Sequence, residues 1–197
     1  MGNAQARNLD SSKESYETRR IIKGKRYHVQ YEEVEIDATI NEVWEEISGN
    51  FAKGGDIAKS INSSYGLSGD VTEGLGAERY LNIDFQGKTI EAKERIIDFK
   101  ECQNHKEFTY YVYESKGSPL QVDTYFTWST WVGDDGKTYL GTYSIFRAKL
   151  PILTGLVGKI IAKSGSLRNG ILTYKHYLET GEKKVDEGRL NKLYPKP

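Results

Sequence analysis

From Tyr27 the chain alternates apolar and polar positions. In "YHVQYEEVEIDAT", Val29, Tyr31, Val34 and Ile36 recur among polar residues, the pattern of a half-buried strand. The period then changes. In "INEVWEEISGNF", Ile40, Val43, Trp44 and Ile47 fall on one helical face, with Asp37 and Thr39 ahead of them as capping residues. Gly49, Gly54 and Gly55 close that helix, and "DIAKSI" gives a second short one. Strand-like segments follow: "SSYGLSGD", "AERYLNIDF", "KTIEAKERIIDF", "KEFTYYVYES", "LQVDTYFTWSTWV" and "KTYLGTYSIFRAKL". The links "FQGK", "SKGSP" and "GDDGK" are short and contain glycine, so they predict hairpins and an antiparallel meander. After Pro151 the period is helical to Glu179, with Gly181 as the C-terminal stop. The predicted fold class is α+β: an antiparallel sheet of about seven strands, two short helices after the first strand, and a long C-terminal helix.

That last helix contains "TGLVGKIIAKSGSLRNG", and each interior glycine costs a helix roughly 1 kcal/mol relative to alanine. Placed at 100° per residue, Leu153, Leu156, Val157, Ile160, Leu167, Ile171, Tyr174 and Leu178 share one stripe with Ser164 at its centre. Gly158, Ala162, Gly165, Asn169 and Thr173 take the opposite side. The stripe is expected to face the core. The small-residue side is either exposed and lax or a place where another element comes close. "KSGSLRNG" is where the helix is expected to bend, and if the backbone there is ordinary, Gly165→Ala stabilises it.

Three segments are expected along the chain. Residues 1–26 are polar and read as a flexible tail, 27–181 as the folded domain, and 182–197, charged and carrying two prolines, as a second tail. Lys plus Arg and Asp plus Glu both number 28, so no global field holds nucleic acid or draws the chain to an acidic membrane. The basic stretch "RRIIKGKR" is expected to be a solvated lead-in to the first strand. A single cysteine, Cys102, excludes an internal disulfide, and no apolar run reaches the roughly 20 residues of a membrane span. A cytoplasmic protein without stable membrane insertion is expected.

The order of elements, together with "VEIDATINEVWEEI", "GLGAERYL", "KERIIDF" and "YVYESKGSPLQVDTYFTW", resembles the START-like or Bet v 1-like superfamily, which includes the polyketide cyclase and lipid-transport proteins. The resemblance spans about Tyr27 to Gly181 and implies a helix-grip fold, in which the sheet wraps the C-terminal helix around an apolar cavity. Two short steps are also similar to the plant abscisic-acid receptors. "AKSI" puts Lys59 where they carry a pocket lysine, and "KERI" puts Glu94 where they carry a pocket glutamate. Their Ser-Gly-Leu-Pro-Ala gating loop is replaced by "NIDFQGK", so the hormone-receptor assignment fails while a partly polar pocket stands.

Strand alternation leaves two candidate cavity faces. Phe108, Tyr110 and Val112 share one side of "FTYYVYES", and Thr109, Tyr111 and Tyr113 share the other. Phe126 and Trp128 likewise oppose Asp123, Tyr125 and Thr127. The hairpin's similarity to the receptors favours Tyr111, Tyr113 and Tyr125 facing inward. Ser144, Ile160, Ser164 and Leu167 complete the expected lining, with a Lys59–Glu94 pair orienting the ligand's polar end. No catalytic motif is present. Cys102 and His105 form one C-x-x-H step without further zinc ligands, and an acid–base role would fall to Glu94, Asp123 and the tyrosines. The expected partner is a small, mostly apolar molecule that is lipid-, polyketide- or isoprenoid-like, with no cofactor or metal. A cyclase, dehydratase or hydrolase using the same cavity, and a chaperone-activating interaction module, remain the alternatives.

Overall fold

The computed structural model describes residues 19–22, 25–67, 69, 71–122 and 124–196. Its strands are β1 (Arg19–Ile22), β2 (Lys25–Ile36), β3 (Ile61–Gly66), β4 (Glu78–Phe85), β5 (Lys88–Cys102), β6 (His105–Lys116), β7 (Thr124–Val132) and β8 (Thr138–Phe146). They form one antiparallel sheet in the order β1-β2-β8-β7-β6-β5-β4-β3. The meander from β3 to β8 is closed by β8 pairing back onto β2, from His28↔Phe146 to Ile36↔Thr138. The short helices α1 (Ile40–Trp44) and α2 (Gly54–Ile57) follow β2. A capping box starts α1: Thr39 Oγ1 accepts from the Glu42 amide at 3.3 Å, and Glu42 Oε2 accepts from the Thr39 amide at 2.8 Å.

The core lies between the concave face of the sheet and the helices. Ile36, Val43, Trp44, Ile47, Phe51, Ile96, Phe108, Tyr110, Leu140, Ile171 and Leu172 are all buried in one cluster. Two bulges bend β5, between Lys93 and Glu94 and between Ile96 and Asp98, and help it curl around that core.

The C-terminal helix is two helices, α3 (Thr154–Ser164) and α4 (Ser166–Thr180). Gly165 separates them with φ +68°, a left-handed conformation that glycine adopts without a Cβ clash. Ser164 Oγ donates to the Ile161 carbonyl at 2.6 Å and accepts from the Ser166 amide at 3.3 Å, so the serine bridges the end of one helix and the first residue of the next. The break resets the helical phase. Leu167, Ile171, Tyr174 and Leu178 on α4 face inward, but Leu153, Leu156 and Ile160 are exposed. A single stripe running through both halves presumed an unbroken helix, and Gly165 removes that premise.

The small-residue side is an approach surface. Gly158 is buried against His28 of β2, where a Cβ would lie 2.4 Å from the imidazole, and Gln30 Nε2 donates to the Gly158 carbonyl at 3.1 Å. On α4, buried Asn169 donates to Glu187 Oε2 at 2.6 Å. Glu187 belongs to a further helix, α5 (Glu187–Leu193), in the stretch expected as a tail. Leu190 and Val185 enter the core, and Lys184 Nζ donates to the carbonyls of Ala58 and Ile61 at 3.0 and 3.2 Å. High charge hid this segment, because its lysine and glutamate are spent on clasping α2 and α4. At the other end β1 lies ahead of the expected domain start at Tyr27 and adds an eighth strand, pairing Arg19↔His28 to Ile22↔Lys25.

Candidate functional site

A cavity of about 310 Å³ lies between the concave sheet and α4, with the α3–α4 junction at its side. Strand alternation builds one wall: Leu81 and Ile83 from β4, Ala92 from β5, Phe108, Tyr110 and Val112 from β6, and Phe126 and Trp128 from β7. Leu167, Gly170, Thr173 and Tyr174 of α4 form the other. The rings brace each other. Tyr110 stacks on Phe126 with centroids 5.3 Å apart, and Trp128 meets Tyr174 edge-on at 5.1 Å. Gly170 has open space where its Cβ would be, so the helix leaves room at that point.

One ion pair is embedded in this apolar wall. Arg79 and Glu94 stand opposite each other on β4 and β5, and both are buried. Arg79 Nε and Nη2 each lie 2.7 Å from Glu94 Oε2, and Nη1 donates to the Phe51 carbonyl at 2.7 Å. The guanidinium lies over the Phe51 ring at 4.0 Å and the Tyr110 ring at 5.0 Å. Burial pushes the Glu94 carboxyl up, and the facing guanidinium opposes that push without cancelling it. For Arg79 burial works against the charge, but Glu94, Tyr110 and Tyr174 outweigh it and hold the group protonated. Both guanidinium contacts fall on Glu94 Oε2, and Tyr174 and Ser144 line the cavity with it.

Of the residues expected at the site, Glu94, Ser144 and Leu167 line the cavity. Lys59 does not: its side chain is 58% exposed and pairs with Asp186 at 3.4 Å. The partner of Glu94 is Arg79, a cross-strand neighbour, because a residue on the loop after α2 points away from the sheet's concavity. Tyr111, Tyr113 and Tyr125 lie on the convex face, where Tyr111 stacks on Tyr125 at 6.2 Å and Tyr113 Oη donates to Glu78 Oε2 at 2.9 Å. The period of two fixes which residues move together but not which set faces the helix, and here Phe108, Tyr110 and Val112 are the set that faces it. Ile160 is 47% exposed and Ser164 is occupied with the helix break, while Ile161 reaches the cavity instead. Asp123 lies outside the described residues. Arg79 was missed, although the sequence carried a signal: it alternates with Ala77, Leu81 and Ile83, a charge in an apolar register.

No family model matches the sequence, and comparison with the curated proteins finds no match. Solved structures do match. A START superfamily protein from Mycobacterium smegmatis is 15% identical over 84% of this chain and 99% of its own, with a TM-score of 0.56. Ara h 8.0201 is 15% identical, covering 77% of this chain and 97% of its own, at 0.54. Major latex-like protein 151 from Panax ginseng is 15% identical over 72% and 97%, at 0.51. The likeness is one of architecture: the chain has the START/Bet v 1-like helix-grip fold.

Proposed function

We propose that this protein binds a small, mostly apolar and electrically neutral molecule between its sheet and α4. The observation that carries the proposal is the cavity of about 310 Å³, walled by aliphatic and aromatic side chains and near the lower end of ligand-pocket volumes, roughly 300–1,000 Å³. Burial drives binding, at about 25 cal/mol per Å² of apolar area before ordering costs. The lining's charged residues are Arg79, Asp84, Glu94 and Glu187. Arg79 is already matched by Glu94, and Asp84 and Glu187 are exposed. A ligand carboxylate would thus be buried beside Glu94 with no cation to receive it, which is costly. A hydroxyl, by contrast, finds the Glu94 carboxylate and the Tyr174 hydroxyl in the lining as hydrogen-bonding partners. Catalysis has less support, since Glu94 is committed to Arg79 rather than free as a base.

A thermal-shift series tests this chemistry. Neutral hydroxylated probes, such as a long-chain alcohol and an isoprenoid alcohol, are expected to raise Tm, while the matching carboxylic acids at neutral pH do not. Equal shifts with the acids would overturn the neutral-ligand assignment. No shift with any apolar probe would count against the cavity as a binding site.

A further inference from the structure

The outward face of α3 inverts the usual order of a surface helix. Its small residues, Thr154 and Gly158, are turned to the protein, and two of its large aliphatics, Leu156 and Ile160, are turned out. Leu156 is 58% exposed, and Ile152, in the turn before the helix, is 93% exposed. Leu150, Leu153 and Ile160 are exposed beside them, as is Val122 in the neighbouring loop. Contiguous exposed apolar side chains of this kind mark an interaction surface. The cause is local: the His28 ring admits only a glycine at position 158, which fixes the rotation of α3.

The charge on this surface has one sign. Residues 147–164 contain no Asp or Glu, and Lys149, Lys159 and Lys163 are exposed. Lys159 and Lys163 sit on the same outward side of α3 as Leu156 and Ile160, at 100° per residue. Aliphatic side chains flanked by lysines, on a helix too short to span, are the chemistry of a segment lying in a lipid headgroup layer. Among the described residues no helix is long and apolar enough to cross a membrane.

The surface also borders the cavity. Ile161, Ser166 and Leu167 line it from the helix side, and Pro119, Leu120 and Gln121 from the loop side. That loop is stitched to the start of the segment, where Lys149 N donates to the Pro119 carbonyl at 2.8 Å.

We propose that the segment Lys149–Ser164 docks on an anionic lipid surface, with its aliphatic side chains among the headgroups and its lysines on their phosphates. Docking places this side of the cavity at the bilayer, so an apolar ligand passes between membrane and protein with little exposure to water. A second copy of this chain fits less well. In a two-fold dimer the same patch meets itself, and lysines would face lysines with no acidic partner in the segment.

Vesicle flotation tests the proposal, with phosphatidylcholine vesicles compared with phosphatidylcholine mixed with phosphatidylserine. The protein is expected to float with the anionic vesicles and to be largely released at high salt. Each Lys→Gln change at Lys149, Lys159 or Lys163 lowers binding roughly fivefold, the weight of one lysine at an anionic surface. Ile152→Ser combined with Leu156→Ser abolishes flotation while far-UV circular dichroism stays unchanged. If that variant misfolds, the exposed lysine series still decides the matter. Failure of the protein to float with anionic vesicles at low salt would overturn the proposal. So would a dimer in solution that the two serine changes dissociate, because the patch is then a contact between copies.

Discussion

The two halves of the C-terminal helix have similar aliphatic content and opposite fates. On α4, Ile171 and Leu172 are fully buried, and Leu167 and Tyr174 line the cavity. On α3, Leu156 and Ile160 face outward while Gly158 is pressed against the sheet. Between them lies one left-handed glycine, which breaks the period and lets each half choose its own rotation. Apolar periodicity thus reports a core face only where the helix is continuous and its packing partner leaves room for side chains. Over His28 there is no such room, and Leu156 and Ile160 of α3 are left for another surface.

The sharpest contrast lies in what each half covers. Beneath α4 sits the Arg79–Glu94 pair, and removing one partner strands a buried charge. Glu94→Ala is expected to cost about 3–5 kcal/mol by urea unfolding, whereas replacing both residues with apolar ones of similar volume costs far less. A small effect of Glu94→Ala would mean that water reaches Arg79 and that the wall is not dry. Equivalent truncations on the two helices come next. Ile171→Ala should destabilise by about 2–5 kcal/mol and Leu156→Ala by no more than about 0.5 kcal/mol. Similar losses at both sites would erase the distinction between a core helix and a surface one. The glycines give the smallest and most pointed test. Gly165→Ala is expected to cost about 1–2 kcal/mol, because its φ of +68° forces a Cβ into the left-handed region. Gly170→Ala, in α4 with open space beside it, should instead stabilise by about 0.4–1 kcal/mol.

Much of the architecture was legible in the residues. Period-two runs and glycine-bearing turns predicted the antiparallel meander, and Asp37 and Thr39 marked the start of α1. The facing of the strands was not legible, since alternation groups Tyr110 with Phe108 and Tyr111 with Tyr113 without saying which group meets a helix. Glu94 was placed at the pocket by the similarity of "KERI" to the receptors' glutamate step. Its partner was sought on the loop at Lys59, when the antiparallel register set Arg79 directly across from it. The α5 segment escaped notice because Val185 and Leu190, its buried anchors, are surrounded by charges that reach other elements. In the last helix, a Ser-Gly-Ser step reads as a bend, but only the backbone shows that Gly165 has changed hand.

The cavity is the centre of the account, and native mass spectrometry of the purified protein tests it most directly. Substituting Gly170 by Phe puts a ring into the space that the ligand is proposed to fill. The expected result is one bound neutral molecule on the parent protein and none on the Gly170→Phe variant, with both folded. A parent protein that stays at its bare mass after incubation with neutral apolar alcohols would contradict the account. A Gly170→Phe variant that carries the same adduct would contradict it equally.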